Sequence, residues 1–318
     1  MLTRLAVALI FPGLLAAGTR DVAAQSYPVK PIRIYASDAG GTVDLLARMI
    51  GPALTSALGQ SVVVENRTSI LTIEAASKSA PDGYSLLVAA GTLWIGPLLQ
   101  VMPYDAFRDF APIAVATTAP NVLVVHPSLP IRSVNELIAL ARKRPGELNY
   151  SSGPTGSYPY LSAELFKAMT GVNIVRILYK GSGPALTALI GGEVQLTFGT
   201  PGSMTAHLKS NRLRALAVTG PQPSPLAPGL PTVSESGVPG YEAVATQGAF
   251  APAGTPAAIV NRLHQEIARF LTRPDTREKL LNSGLEAVGG PPDQLSAVMK
   301  SEVSRLGKAI KDAGIKAN

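Results

Sequence analysis

Five times along this chain an apolar, β-branched run ends in a loop of glycines and hydroxyl residues and turns directly into a helical pattern. The loops are "SDAGGTVD" at 37–44, "AGTLW" at 90–94, "SSGPTGSYP" at 151–159, "YKGSGPA" at 179–185 and "FGTPGS" at 198–203. Strand followed by helix, repeated in this way, calls for parallel sheets with helices on both faces. In such sheets ligands collect beyond the carboxyl ends of the strands, where helices begin. Loops of this composition offer backbone N–H groups and hydroxyls beside a positive helix end, which suits a carboxylate. A single loop of this kind is ordinary turn and cap chemistry. Five across the chain, with no catalytic set beside them, point to binding.

The periodicities predict strands at 32–36, 61–65 and 84–90 with helices between them. The first helix shows Val43, Leu46, Ala47, Ile50, Leu54, Ala57 and Leu58 on one face, with Pro52 as an expected kink and Gly59 as its stop. A second alternating block follows His126-Pro127. It predicts helices at 134–144, 160–170, 184–190 and 202–209 and strands at 148–151, 173–178, 194–198 and 214–219. The Pro- and Gly-rich stretch 220–240 reads as a long surface connection around one helical turn at 233–236. Helical patterns at 256–271, 275–283 and 292–313 then close the chain without a strong strand among them, so they need an existing sheet to pack on. A return to the first sheet is the simplest solution. That makes two α/β domains, the second inserted in the first, with strand-like crossings at 121–125 and 243–249. A length of 318 residues is comfortable for two cores.

Several function classes drop out. Zero cysteines remove thiolate nucleophiles, disulfides and Cys-ligated metals. There is no G-x-S-x-G, S-x-x-K, H-E-x-x-H or Walker A pattern, and Gly40-Gly41 falls short of a dinucleotide fingerprint. His126, His207 and His264 lie in separate segments, so no metal or cofactor is expected. The N-terminus has Arg4, an apolar run from Leu5 to Ala17 and small residues at Val22-Ala23-Ala24, the pattern of a signal peptide cleaved after Ala24. The apolar run is short for a membrane span. The mature chain is therefore expected outside the cytoplasm. Net charge is +7, and losing Arg4, Arg20 and Asp21 with the leader removes one positive charge. No Lys/Arg tract is interleaved with aromatics, so nucleic acid is not an expected partner. A basic surface instead favours small acids.

The motifs "GQSVVVENR", "APDGYSLL", "YDAFRDFAPI", "YKGSGPALTALIGGEVQ", "LRALAVTG", "LPTVSESGVPGYEA" and "FAPAGTP" resemble the Bug-type periplasmic receptors of tripartite tricarboxylate transporters. The likeness covers nearly all of the mature chain. It implies a two-domain type II periplasmic-binding-protein fold, each domain a mostly parallel sheet flanked by helices, joined by two hinge crossings. The expected division is 1–24 signal peptide, 25–125 with 245–318 domain one, and 126–244 domain two. The implied function is capture of a small carboxylate or amino acid between the domains by a monomer, without cofactor, and delivery to membrane transporter subunits. The resemblance places the first-domain carboxylate grip at Gly40, Gly41, Thr42 and Asp44, with Asp44 chiefly structural in the first helical turn. It places the facing loop at Ser151, Ser152, Thr155, Gly156 and Ser157, with Tyr179 at the "YKG" position. The loop pattern adds Ser37, Asp38, Gly91, Thr92 and Thr200 as candidate ligand contacts, and Gln247 lies near the hinge.

Departures from the family pattern bear on the ligand. Ala36-Ser37 stand where a Pro-Phe-like pair is common, and Asp38 where a small residue is. After Asn66-Arg67, "TSILTIEAASKSA" replaces a glycine-rich loop. Gly199-Thr200 occupy a position where Asp is frequent, and Thr246-Gln247 replace aromatics. Asp38 has two readings. Pointing into the cleft, it disfavours a second carboxylate and favours an amino or neutral group; facing solvent or capping the helix, it does neither. A ligand sensor for a signalling partner, a secreted enzyme on the same scaffold and an effector domain of a regulator remain the competing functions.

Overall fold

The computed structural model describes residues 27–37, 39–67, 69–153 and 155–312. The expected leader lies outside them. The chain runs β1 (Ile32–Ser37), α1 (Thr42–Leu58), β2 (Val62–Arg67), α2 (Ser69–Ser77), β3 (Ser85–Ala90), α3 (Thr92–Leu99) and β4 (Phe110–Pro120). It continues through β5 (Val122–Val125), α4 (Val134–Lys143), β6 (Asn149–Ser152), α5 (Tyr158–Thr170), β7 (Val175–Leu178), α6 (Ser182–Ile190), β8 (Leu196–Gly199), α7 (Pro201–Lys209) and β9 (Arg214–Val218). It closes with β10 (Val244–Pro252), α8 (Ala257–Leu271), α9 (Pro274–Asn282), β11 (Glu286–Gly290) and α10 (Pro292–Asp312).

These strands make two sheets, ordered β11-β4-β10-β3-β1-β2 and β7-β6-β8-β5-β9. Each sheet is mixed, which corrects the expectation of mostly parallel sheets. β1 pairs in parallel with β2 and β3, and β6 with β7 and β8. The strands nearest the crossings, β4, β10 and β5, pair antiparallel with their neighbours. The five ligand-type loops still follow the carboxyl ends of strands that pair in parallel, β1, β3, β6, β7 and β8.

Two strands escape the sequence pattern. β4 includes Pro112 and Pro120, residues that read as breakers, yet it pairs with β10 through register shifts that absorb the irregularity. β11 is the short, glycine-ended "EAVGG" at the sheet edge, with its own register shift. The segment 220–240 is a connection, but Val233, Val238 and Tyr241 anchor it in the core, so it is not merely a surface loop.

The chain passes between the sheets at Asn121 and again before Val244, and Thr219 clamps both passages. The Asn121 N–H donates to Thr219 Oγ1 at 2.7 Å, and that hydroxyl donates to the Ala243 carbonyl at 2.7 Å. One apolar cluster is continuous across both halves, joining Trp94, Phe250, Leu295 and Met299 to Leu161, Phe166 and Tyr241. Helix α10 lies against β4, α3 and α5, so it packs on elements of both halves.

Candidate functional site

In the first half, the loop after β1 is organised by one carboxylate. Asp44, in the first turn of α1, accepts the Gly40 N–H at 2.8 Å, Asn66 Nδ2 at 2.9 Å and Arg48 Nε at 3.0 Å. Burial alone would raise its pKa. The Gly40 N–H, Arg48 and Asn66 overcome that and hold it below the usual carboxylate range. Asp44 thus shapes the loop from behind. Next to it, Thr42 Oγ1 accepts Gln247 Nε2 at 2.7 Å, and Gln247 Oε1 accepts the Thr117 hydroxyl at 3.2 Å. Gln247 pairs with Ala90 across the sheet, so it joins the loops after β1 and β3.

In the second half, the organiser is a cation. Arg176 on β7 donates from Nε to Ser152 Oγ at 2.8 Å, from Nη1 to Thr155 Oγ1 at 3.0 Å and from Nη2 to the Gly153 carbonyl at 2.8 Å. Its guanidinium lies 3.9 Å from the centroid of the Tyr160 ring, a cation–π contact that fixes the plane of the fork. Ser157 occupies the N-cap position of α5 without making a side-chain cap, and its buried Oγ has no partner among the described residues.

The halves meet between these loops. Tyr158, at the start of α5, donates to Glu302 Oε2 of α10 at 3.1 Å. Glu302 also accepts Trp94 Nε1 at 2.8 Å and the Thr246 hydroxyl at 2.9 Å. Burial pushes the Glu302 carboxyl above its ordinary value, against the opposing pull of those donors and of Arg305. Burial, then the Glu302 carboxylate, pushes the Tyr158 hydroxyl well up, so it stays a donor. A Cβ on Gly91 would sit 1.8 Å from the Tyr158 hydroxyl, so glycine there is what admits the ring. Gly156 has φ +86°, and a Cβ on it would meet Leu99 of α3 at 2.8 Å. Both glycines allow close approach between the halves.

Beside this contact is a cavity of about 310 Å³. Thr92, Gln100, Thr155 and Ser157 give it polar groups; Ile70, Ile73, Ile95, Leu99 and Met102 give it apolar walls. The arrangement can hold a small molecule with an acceptor group at the hydroxyls and hydrocarbon against α2 and α3.

Residues 46–315 match the family model described as the tripartite tricarboxylate transporter family receptor. This chain belongs to that receptor family. Among curated relatives it is 35% identical over 302 residues to Protein BugT of Bordetella pertussis, covering 93% of each chain. Among solved structures it resembles Rpa4515 from R. palustris with adipate, at 38% identity and TM-score 0.74, covering 91% of this chain and 99% of that one. It also resembles MatC from Rhodopseudomonas palustris with bound malate, at 28% identity and TM-score 0.71, covering 89% and 100%. The fold is that of these neighbours and of the periplasmic binding protein BugD, two α/β halves side by side.

Within this receptor the candidates expected from sequence separate into groups. Thr92, Thr155, Gly156 and Ser157 gather at the cavity between the halves. Thr42, Gln247 and Gly91 stand beside the contact, and Gly40, Gly41 and Asp44 form the loop behind it. Ser37 ends β1 opposite Arg67. Ser152 and Thr200 line a separate, much smaller cavity of about 20 Å³ at the ends of β6 and β8. Ser151 is fully buried within its sheet, its Oγ without a partner among the described residues. Tyr179 turns its hydroxyl to Glu193 at 3.5 Å and does not line the cavity of about 310 Å³. Asp38 lies outside the described residues. Sequence reasoning missed Arg176, Tyr158, Glu302 and the isoleucines of α2. Arg176 left a signal, a lone cation inside the apolar run "NIVRIL".

Proposed function

We propose that this chain is an extracytoplasmic solute receptor that closes two domains on a small carboxylate with a hydrocarbon body. It would release that acid to the membrane subunits of a tripartite tricarboxylate-type transporter. The domains would be 25–125 with 245–318 and 126–244, with the leader 1–24 removed on export to the periplasm. The observation that carries the reading is the cavity of about 310 Å³, where hydroxyls of both halves face isoleucine and leucine side chains. Its described lining offers neutral hydroxyl and amide groups, with Thr92, Thr155 and Ser157 as donors for an acid. The adipate held by one relative is a flexible aliphatic acid of this kind. Among the described residues no helix is long and apolar enough to cross a membrane. Ligand bridging of both halves would favour the closed state by its differential affinity.

A thermal-shift screen of aliphatic and aromatic acids, hydroxy acids, amino acids and carboxamides tests this. Aliphatic or aromatic acids should raise the melting temperature, and their amides should not. Stabilisation by amino acids alone, or turnover of any compound, would overturn the proposal.

A further inference from the structure

The Arg176 fork has a consequence for ligand polarity at the cavity, one that rests on the receptor reading above. A guanidinium only donates hydrogen bonds. The oxygens of Ser152 and Thr155 therefore serve as acceptors toward Arg176, and each hydroxyl keeps one hydrogen to give. Ser152 gives its hydrogen to the Gly153 carbonyl at 3.2 Å. Among the described residues the Thr155 hydrogen has no acceptor, and Thr155 lines the cavity. Ser157, two residues on, lines the same cavity with a buried hydroxyl that has no partner among the described residues.

We propose that Arg176 is a positioning residue that occupies one acceptor site of Thr155 and leaves its hydrogen for the cleft, so that Thr155 and Ser157 together favour a ligand group with two acceptor oxygens. A carboxylate meets that demand. A carboxamide brings one such oxygen, makes neutral bonds where the carboxylate makes charge-assisted ones, and its two N–H groups meet only the one acceptor site that Arg176 leaves on Thr155 and the hydroxyl of Ser157. The charge stays behind the loop, stacked on Tyr160, and adds a field that favours an anion without touching it. Discrimination then comes from hydroxyls held by a neighbour to give their hydrogens, bonds that a charged acceptor strengthens and a neutral amide does not.

The test is calorimetric binding of straight-chain mono- and dicarboxylates of four to eight carbons, each beside its amide. The proteins are wild type, Arg176→Met, Arg176→Lys, Thr155→Val, Thr155→Ser and the Arg176→Met/Thr155→Val pair. Wild type should prefer an acid over its amide by about tenfold or more, as expected for a site whose donors would be left unpaired. Arg176→Met and Thr155→Val should each lose most of that preference, and the double variant should be no worse than either single one. Arg176→Lys should recover part of it and Thr155→Ser nearly all. If wild type binds acids and Arg176→Met keeps the preference at an unchanged melting temperature, the inference fails while the receptor reading stands. Additive losses in the double variant would also overturn it. Should Arg176→Met not fold, a retained preference in Thr155→Val is sufficient to refute it. If no acid of the panel binds wild type, both readings fall together.

Discussion

Glu302 is the most informative single perturbation, because structure and electrostatics make opposite-looking demands on it. Its side chain is 3% exposed and accepts from Trp94, Tyr158 and Thr246. Replacing it with leucine strands three buried donors. At about 1–3 kcal/mol for each unsatisfied group, Glu302→Leu should cost about 3 kcal/mol or more. Glutamine is different. Its carbonyl can accept from Trp94 and Tyr158, and its amide can donate to the Thr246 oxygen. It also removes a charge that burial disfavours, so Glu302→Gln should stay within about 1 kcal/mol of wild type at neutral pH. Burial places the folded-state pKa above the ordinary 4.5. Between those two values the folded state holds a proton that the unfolded state gives up. Stability from this group is therefore full below 4.5 and is lost as pH rises through the raised value. Urea unfolding of wild type, Glu302→Gln and Glu302→Leu at intervals from pH 4 to pH 8 measures this directly. Wild type should lose stability relative to Glu302→Gln as pH rises. A constant difference between those two proteins across the range, or a glutamine as costly as leucine, would refute the reasoning.

Other outcomes follow from the same geometry. Tyr158→Phe removes a bond to a buried carboxylate and should lower stability by about 1.5–3 kcal/mol in denaturant unfolding. Gly91→Ala should cost about 1–3 kcal/mol from overpacking against the Tyr158 ring; its φ of −54° is ordinary, so a silent Gly91→Ala would mean that the ring does not sit there. Ile70 lines the cavity but is 39% exposed, so Ile70→Asn should leave the melting temperature nearly unchanged while weakening aliphatic acids about three- to tenfold in calorimetry. Asp44→Asn should lose about 1–2 kcal/mol at neutral pH. Because the Asp44 pKa is held below its ordinary 3.8, that deficit should vanish as pH falls through the folded value, as acid titration of unfolding would show.

Most of the architecture was legible because periodicity is a local signal. The apolar stripe of α1 and the glycine that stops it stand in the chain itself, and Pro52 sits inside the helix without ending it. β4 and β11 were not legible for an equally physical reason. Prolines in β4 are accommodated by register shifts against β10, and β11 is only completed by the edge of β4. The site divides in the same way. Glycines and hydroxyls at strand ends announced the loops, and Thr92, Thr155, Gly156 and Ser157 do gather at one cavity. What each loop residue faces depends on partners distant in sequence. Asp44 answers to Asn66, Tyr158 to Glu302, and Ser152 to Arg176. No single-chain pattern contains those pairings.

The departure after β2 gains meaning from this. Where the resemblance calls for a glycine-rich loop, α2 begins at Ser69, and Ile70 and Ile73 enter the cavity wall. Backbone donors are thereby exchanged for hydrocarbon on the first-half side, while hydroxyl donors remain on the second-half side at Thr155 and Ser157. Two charged residues that organise these loops are turned inward, Asp44 onto Gly40 and Asn66 and Arg176 onto Ser152, Gly153 and Thr155. An acid would then be gripped at one end by neutral donors and sorted at the other by the shape of α2 and α3. On that division of labour, changing α2 alters which acid binds but leaves the preference for acid over amide intact. Changing the Arg176 fork does the reverse.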